Sequence, residues 1–222
     1  MNILKRLLTV VLFTTFTSFL FAQTIGIKAG YTLSDLLLKE DGESVSDEFD
    51  MRSGFHIGPT FEWGIGEGAG IETALLITTK GVKTNESELF EGIAYSSKSK
   101  VNLWYLDIPV FGKLYADVNK SRIYGMLGPY FGIGLSGKTK VEEKGGTESF
   151  NEEWNIVWGP DEDDDLKRLG LGLAVGGGVE INSFLFEFTA HFALNNISPQ
   201  TDYDMVARNR SFMFSVGYKF HK

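Results

Sequence analysis

The chain contains no cysteine, and among its 222 residues there are only three histidines and five prolines. Without cysteine it is neither a lipoprotein nor a disulfide-stapled scaffold. It also lacks any excess of positive charge. The formal charge is −8, and it becomes −10 once the two cations Lys5 and Arg6 leave with a leader. A chain that acidic does not attract nucleic acid, so none is expected as a partner. No linker-like stretch divides it, no segment beyond the leader repeats with the helical period, and no serine sits in a G-x-S-x-G frame. What is abundant is 26 glycines and 18 phenylalanines, the composition of one all-β body.

Residues 1–22 read as a signal peptide. Lys5 and Arg6 form a positive start, Leu7 to Phe21 is an apolar run broken only by Thr and Ser, and Ala22 is the small residue a peptidase needs. An uncleaved anchor is the alternative, but a span needs ~20 mostly apolar residues and this run is short and thinned by hydroxyls. Residues 23–222, starting at Gln23, then form a single exported barrel domain.

Eight stretches alternate with period two: Thr24 to Leu33, Gly54 to Trp63, Gly70 to Lys80, Val101 to Tyr115, Ile123 to Ser136, Leu169 to Ile181, Phe184 to Asn195 and Ser211 to Phe220. Successive strand side chains point to opposite faces, and in every stretch the charges share one parity. The uncharged parity includes Ile25, Ile27, Phe55, Ile57, Trp104, Leu127, Phe131, the run Leu169 to Val175, the run Phe184 to Leu194 and the run Phe212 to Phe220. The charged parity holds Lys28, His56, Glu62, Glu72, Lys80, Asp107, Lys113, Glu180, Glu187, His191 and Lys219. The four strands with two ionisable groups place both on the same face.

Connections alternate as strictly as side chains do. Ser34 to Ser53, Thr84 to Lys100, Gly137 to Arg168 and Asn196 to Arg210 are long and polar, whereas Gly64 to Ala69, Ala116 to Arg122 and Asn182-Ser183 are short. Outer-membrane barrels show this asymmetry, with short periplasmic turns and long extracellular loops. A secreted lipocalin-like barrel would turn the same strands inside out, apolar face inward. Two observations favour the membrane. The uncharged face exceeds the few hundred Å² of apolar patch a soluble surface tolerates. Gly26, Gly30, Gly58, Gly128, Gly132, Gly172, Gly176 and Gly217 crowd the charged face, as suits a narrow interior. The expected fold is therefore an all-β, eight-stranded antiparallel up-and-down transmembrane β-barrel with a filled, charged interior. Pro59, Pro109 and Pro129 fall inside expected strands, where each removes a ladder donor, so bulges or rim positions are expected there.

The stretch Trp104-Tyr105-Leu106-Asp107-Ile108-Pro109-Val110-Phe111-Gly112-Lys113-Leu114-Tyr115 resembles a strand of the PorT-like outer-membrane β-barrel family. Gly128-Pro129-Tyr130-Phe131-Gly132-Ile133-Gly134-Leu135-Ser136-Gly137-Lys138 resembles that family's next strand, and the likeness extends to Gly26 to Tyr31 and Val175 to Val179. It accounts for two of the prolines. It implies a small barrel in the outer membrane of Gram-negative bacteria, a family of mostly unknown role whose founding member is linked to secretion of other proteins. The chain departs from the wider barrel pattern at its end, where His221 and Lys222 follow the aromatic Phe220.

An eight-stranded barrel is just wide enough for its own side chains. Five inward acids (Glu62, Glu72, Asp107, Glu180, Glu187) against four inward lysines (Lys28, Lys80, Lys113, Lys219) read as a bracing ion-pair network, with an ion path as the rival. His56 and His191 read as satisfied interior histidines, since substrate cannot reach a packed lumen. Gly132 to Gly137 matches G-x-G-x-x-G by letters only, with no helix to follow. In the loop Lys138 to Lys167, Asp161, Asp163 and Asp165 imitate a calcium loop, but Leu166 and Gly172 stand where Gly and Glu are needed. The loop reads as solvated, with Trp154 and Trp158 either adhesive or packed on the rim. No catalytic, cofactor or metal residues are expected. The reading is a non-enzymatic monomer in outer-membrane lipid, structural or interactive through its external loops with other envelope or secretion proteins. A narrow porin-like channel, an outer-membrane lipid-modifying enzyme and a secreted binding barrel are the alternatives.

Overall fold

Period-two patterns rich in Phe, Val, Ile and Tyr leave no helical face to bury, and most of the described residues are strand. The computed structural model describes residues 24–40, 43–44, 50–90, 93–145, 148–200 and 205–220. The expected leader, residues 1–22, and the terminal His221 and Lys222 lie outside the described residues. The strands are β1 (Thr24–Glu40), β2 (Glu43–Ser44), β3 (Asp50–Gly66), β4 (Ala69–Ala74), β5 (Leu76–Phe90), β6 (Ile93–Val118), β7 (Ser121–Gly145), β8 (Glu148–Asn155), β9 (Leu169–Ile181), β10 (Phe184–Ala193) and β11 (Val206–Phe220).

Every pairing between these strands is antiparallel, and the sheet closes on itself. β1 pairs with β3 on one side and with β11 on the other, and the ring continues through β10, β9, β7, β6 and the β4/β5 stave. That makes eight staves, as the alternation requires, with β2 and β8 as additions outside the ring. All eleven residues expected inside are buried. The opposite parity forms an exposed apolar belt, with aromatic contacts such as Phe55 on Trp104 (5.5 Å) and Phe184 on Tyr218 (5.3 Å). Exceptions, outward by parity yet buried, include Ala190, a short side chain paired opposite Phe212, and Thr73 and Thr79, whose hydroxyls bond the Pro109 and Phe55 carbonyls.

At one end the connections expected to be short are two residues each, Glu67-Gly68, Asn119-Lys120 and Asn182-Ser183. Asn119 and Asn182 take positive φ (both 56°), which asparagine tolerates better than most side chains.

At the other end the structure corrects the sequence reading. Segments expected as long loops are largely strand: β5 runs to Phe90, β6 starts at Ile93, and β7 runs to Gly145 before β8 pairs back on it. With 26 residues, β6 spans ~86 Å at about 3.3 Å per residue, against an apolar belt ~25 Å tall. A ladder needs paired backbones, not an apolar face, and polar cross-strand pairs such as Lys98 opposite Glu142 carry it into water. β5, β6, β7 and β8 thus continue beyond the belt as an external four-stranded sheet.

The prolines are a second correction. They sit mid-strand rather than at bulges; the register shifts occur instead at Trp104/Tyr105, Gly64/Gly66 and between Met51 and His56. Pro59 accepts a bond from the Leu75 amide (3.1 Å) but has no N–H to return, and the third stave breaks at Leu75. A side chain on Gly58 would strike the Leu75 carbonyl, and one on Gly128 would strike the Val110 carbonyl. The Gly-Pro pairs 58–59 and 128–129 therefore repeat one device: the proline removes the donor, and the bare glycine lets the orphaned carbonyl settle over its Cα.

Candidate functional site

The inward parity delivers its charges from seven staves into one column. Lys28 Nζ lies 2.7 Å from Glu187 and 3.3 Å from Glu72. Lys113 Nζ joins Glu72 (2.6 Å) to Glu62 (3.0 Å), and Lys219 Nζ joins Glu62 (2.8 Å) to Glu180 (2.5 Å). Glutamate and lysine thus alternate without a break from Glu187 to Glu180. Tyr124 donates its hydroxyl to Glu187 at 3.2 Å, and the Lys113 ammonium stands 3.9 Å from the Tyr124 ring centre. Charges buried this deeply are tolerated only when paired and hydrogen-bonded, and every link of this chain is.

A fourth lysine acts separately. Lys80 bonds Asp107 at 2.7 Å and lies over the rings of Tyr105 (4.8 Å) and Tyr130 (5.3 Å). Aromatic faces and one carboxylate replace the water it has left.

The histidines take different surroundings. His56 Nδ1 is 3.0 Å from Thr32 Oγ1 and its Nε2 is 2.8 Å from Ser215 Oγ. The serine and imidazole thus meet, but the third group is a hydroxyl rather than a carboxylate, and the site is sealed in the lumen. His191 packs against Tyr130 (4.8 Å between ring centres) and Phe111 (6.4 Å). Thr32 and Ser215 lie on the charged parity, but a lone hydroxyl in a strand has no signal to mark it.

A cap closes the column on the long-strand side. Ile197, fully buried, joins Leu36, Val82 and Ala207. Asn196 fixes it by accepting from the Ala207 and Ser198 amides (2.8 and 2.9 Å) while donating to the Met205 carbonyl (2.8 Å). Trp158 drops onto Tyr105 (5.7 Å) above Gly134, where any side chain would collide with the indole. Within the G-x-G-x-x-G string, Gly134 therefore makes room for the indole, and Gly137 for Ile156 and Leu103. The two tryptophans of the third connection part company, with Trp158 packed inward and Trp154 exposed on β8. The aspartates there serve the turn: Asp164 accepts from the Asp161 amide (2.9 Å) and Asp165 from the Val157 amide (2.8 Å). Among the described residues no three His, Asp or Glu side chains converge as a metal site would require.

Charged pairs ring both rims. Arg122 bonds Asp117 (2.9 Å) beside the short turns, and Arg210 clasps Asp35 with two nitrogens at the far rim.

A family model described as an outer membrane protein β-barrel domain matches residues 21–198. Three solved structures are similar to the chain. The attachment invasion locus protein Ail of Yersinia pestis shares 16% identity, covering 90% of this chain and 99% of that one, with a TM-score of 0.38. OprG of Pseudomonas aeruginosa shares 16% over 90% and 97%, with a TM-score of 0.44. Neisserial surface protein A shares 12% over 88% and 97%, with a TM-score of 0.40. No curated protein sequence matches the chain.

Proposed function

Because the chain belongs to the outer-membrane β-barrel domain family and resides in the outer membrane, we propose that it is a closed, non-enzymatic barrel that works through its external sheet. The observation that carries this reading is the unbroken alternation of Glu187, Lys28, Glu72, Lys113, Glu62, Lys219 and Glu180 across the lumen. An ion would have to displace paired charges at every step, so the column braces the wall and does not conduct. With short turns toward the periplasm, as is usual for such barrels, the external sheet of β5 to β8 is offered to the outside.

The rest of the reading follows the sequence. Export by a cleaved leader of residues 1–22, a monomeric state, kinship with the PorT-like barrels and a link to envelope or secretion partners belong to the same proposal. The experiment that tests it is single-channel recording in planar bilayers: the purified protein should show no stable conductance, and steady openings would overturn the closed barrel.

A further inference from the structure

Among the described residues the external sheet ends in an unpaired edge. Among the described strands β8 pairs with β7 alone. The phase of that pairing follows from the bond of the Ile156 amide to the Gly137 carbonyl, 2.9 Å. In an antiparallel ladder mutual bonds recur every second residue, so Trp154, Glu152 and Phe150 exchange bonds with β7. Ser149, Asn151, Glu153 and Asn155 then direct their N–H and C=O groups away from it, into solvent.

The two faces of this sheet differ in charge. Trp154 pairs with Thr139, which is buried, so Trp154, Glu152 and Phe150 continue the lumen side. Following the register across β7, β6 and β5, the same face carries Glu143, Tyr95 and Glu86. Among its described side chains there is no lysine or arginine. The opposite face holds Lys83, Lys98, Lys100, Lys138, Lys140 and Lys144. Tyr95, Phe150 and Trp154 are 43–52% exposed, and Glu86, Tyr95, Glu143 and Phe150 line a cavity of about 670 Å³ whose only cationic lining residue is Lys144, of the opposite parity.

We propose that the free edge of β8 receives, by strand addition, an extended basic segment of another envelope protein. Its backbone would pair with Asn151 and Glu153, and cations on its alternate residues would meet Glu152 and Glu143 and the faces of Phe150 and Trp154. A second copy of this chain does not fit, because its β8 contains no lysine or arginine and would bring a second Glu152 to the acids of this face. The inference rests on the interaction role proposed above, and adds the edge, the strand geometry and the charge of the partner.

The test uses the full chain in lipid nanodiscs and three octapeptides of alternating lysine-threonine, glutamate-threonine and glutamine-threonine, with binding followed by calorimetry. The lysine peptide should bind at least tenfold more tightly than the others, with affinity falling as salt rises. Asn151→Pro removes an N–H that faces only the free edge and should weaken binding tenfold or more. Glu152→Lys leaves that edge intact and should shift preference toward the glutamate peptide. Equal binding of the three peptides, or unchanged binding in both variants, would overturn the inference and leave the closed-barrel reading in place. Steady conductance would remove that reading itself.

Discussion

Lys28 and Glu187 meet at 2.7 Å across the lumen although 159 residues separate them along the chain. The contact ties the first stave to the seventh and exists only when the ring is closed. Lys28→Met leaves Glu187 with Tyr124 as its remaining partner in the column. Stranding one member of a buried pair typically costs about 3–5 kcal/mol, whereas replacing both members by apolar groups is often close to neutral. Urea unfolding in detergent should therefore show a large loss for Lys28→Met and substantial recovery in Lys28→Met/Glu187→Leu. Additive losses would show that the column does not brace the barrel.

The Gly-Pro device predicts non-additivity of a different kind. In Gly58→Ala the new methyl meets the Leu75 carbonyl, an overpacking of about 1–3 kcal/mol. Gly125→Ala, with open space around it, should be nearly neutral. Adding Pro59→Ala to Gly58→Ala restores the N–H that draws the carbonyl back into the ladder, so the double variant should recover much of the loss. Heat-dependent gel mobility across the four proteins reads this directly.

Cap and column are separate closures. Trp158→Ala combined with Ile197→Ala opens the outer mouth, but the ion pairs below remain. Conductance should stay absent while Tyr105 becomes accessible to a water-soluble quencher; a conducting double variant would show that the cap alone seals the barrel.

The external hairpin should respond to acid. Lys140 holds the Glu142 carboxyl below its ordinary value of 4.5, and Lys138 does the same for Glu153, each chiefly through a direct hydrogen bond. A carboxyl whose folded value is depressed contributes stability above its unfolded value, and loses it as pH falls through the folded one. Both groups are exposed, so the effect is small and screened by salt. The backbone amide signals of Val141 and Glu152 should begin to shift below about pH 4.5, and Lys140→Met should move that change to higher pH.

Parity made the lumen residues legible, because a charge facing hydrocarbon is costly and each of Lys28, Glu72, Lys113 and Glu187 could lie only on the other face. Which lysine meets which glutamate was not legible, since it depends on the stagger between staves and no residue announces that. The external sheet escaped for another reason. Lys138 and Lys140 alternate with Thr139 and Val141, a strand pattern, but polar residues beside weakly apolar ones carry too little contrast to stand out from a loop. Ile197 is harder still: one apolar residue in a polar connection gives no periodicity, and only its neighbours in space reveal it as a cap.

The length of β6 bears on how the molecule is made. Its tip and those of β5, β7 and β8 carry Lys98, Lys100, Glu142 and Lys144, among other charges. In the orientation proposed above, all of these cross the hydrocarbon to reach the far side. Hydrophilic hairpins that long enter lipid slowly, whereas the short turns at Asn119 and Asn182 need not cross. The ring closes by joining β1 to β11, so the links that span this seam, Lys28 to Glu187 and Lys219 to Glu62, cannot form until the last stave is in place. Assembly in this orientation is thus ordered in time, with the hairpins threaded first and the two seam-spanning ion pairs locked last.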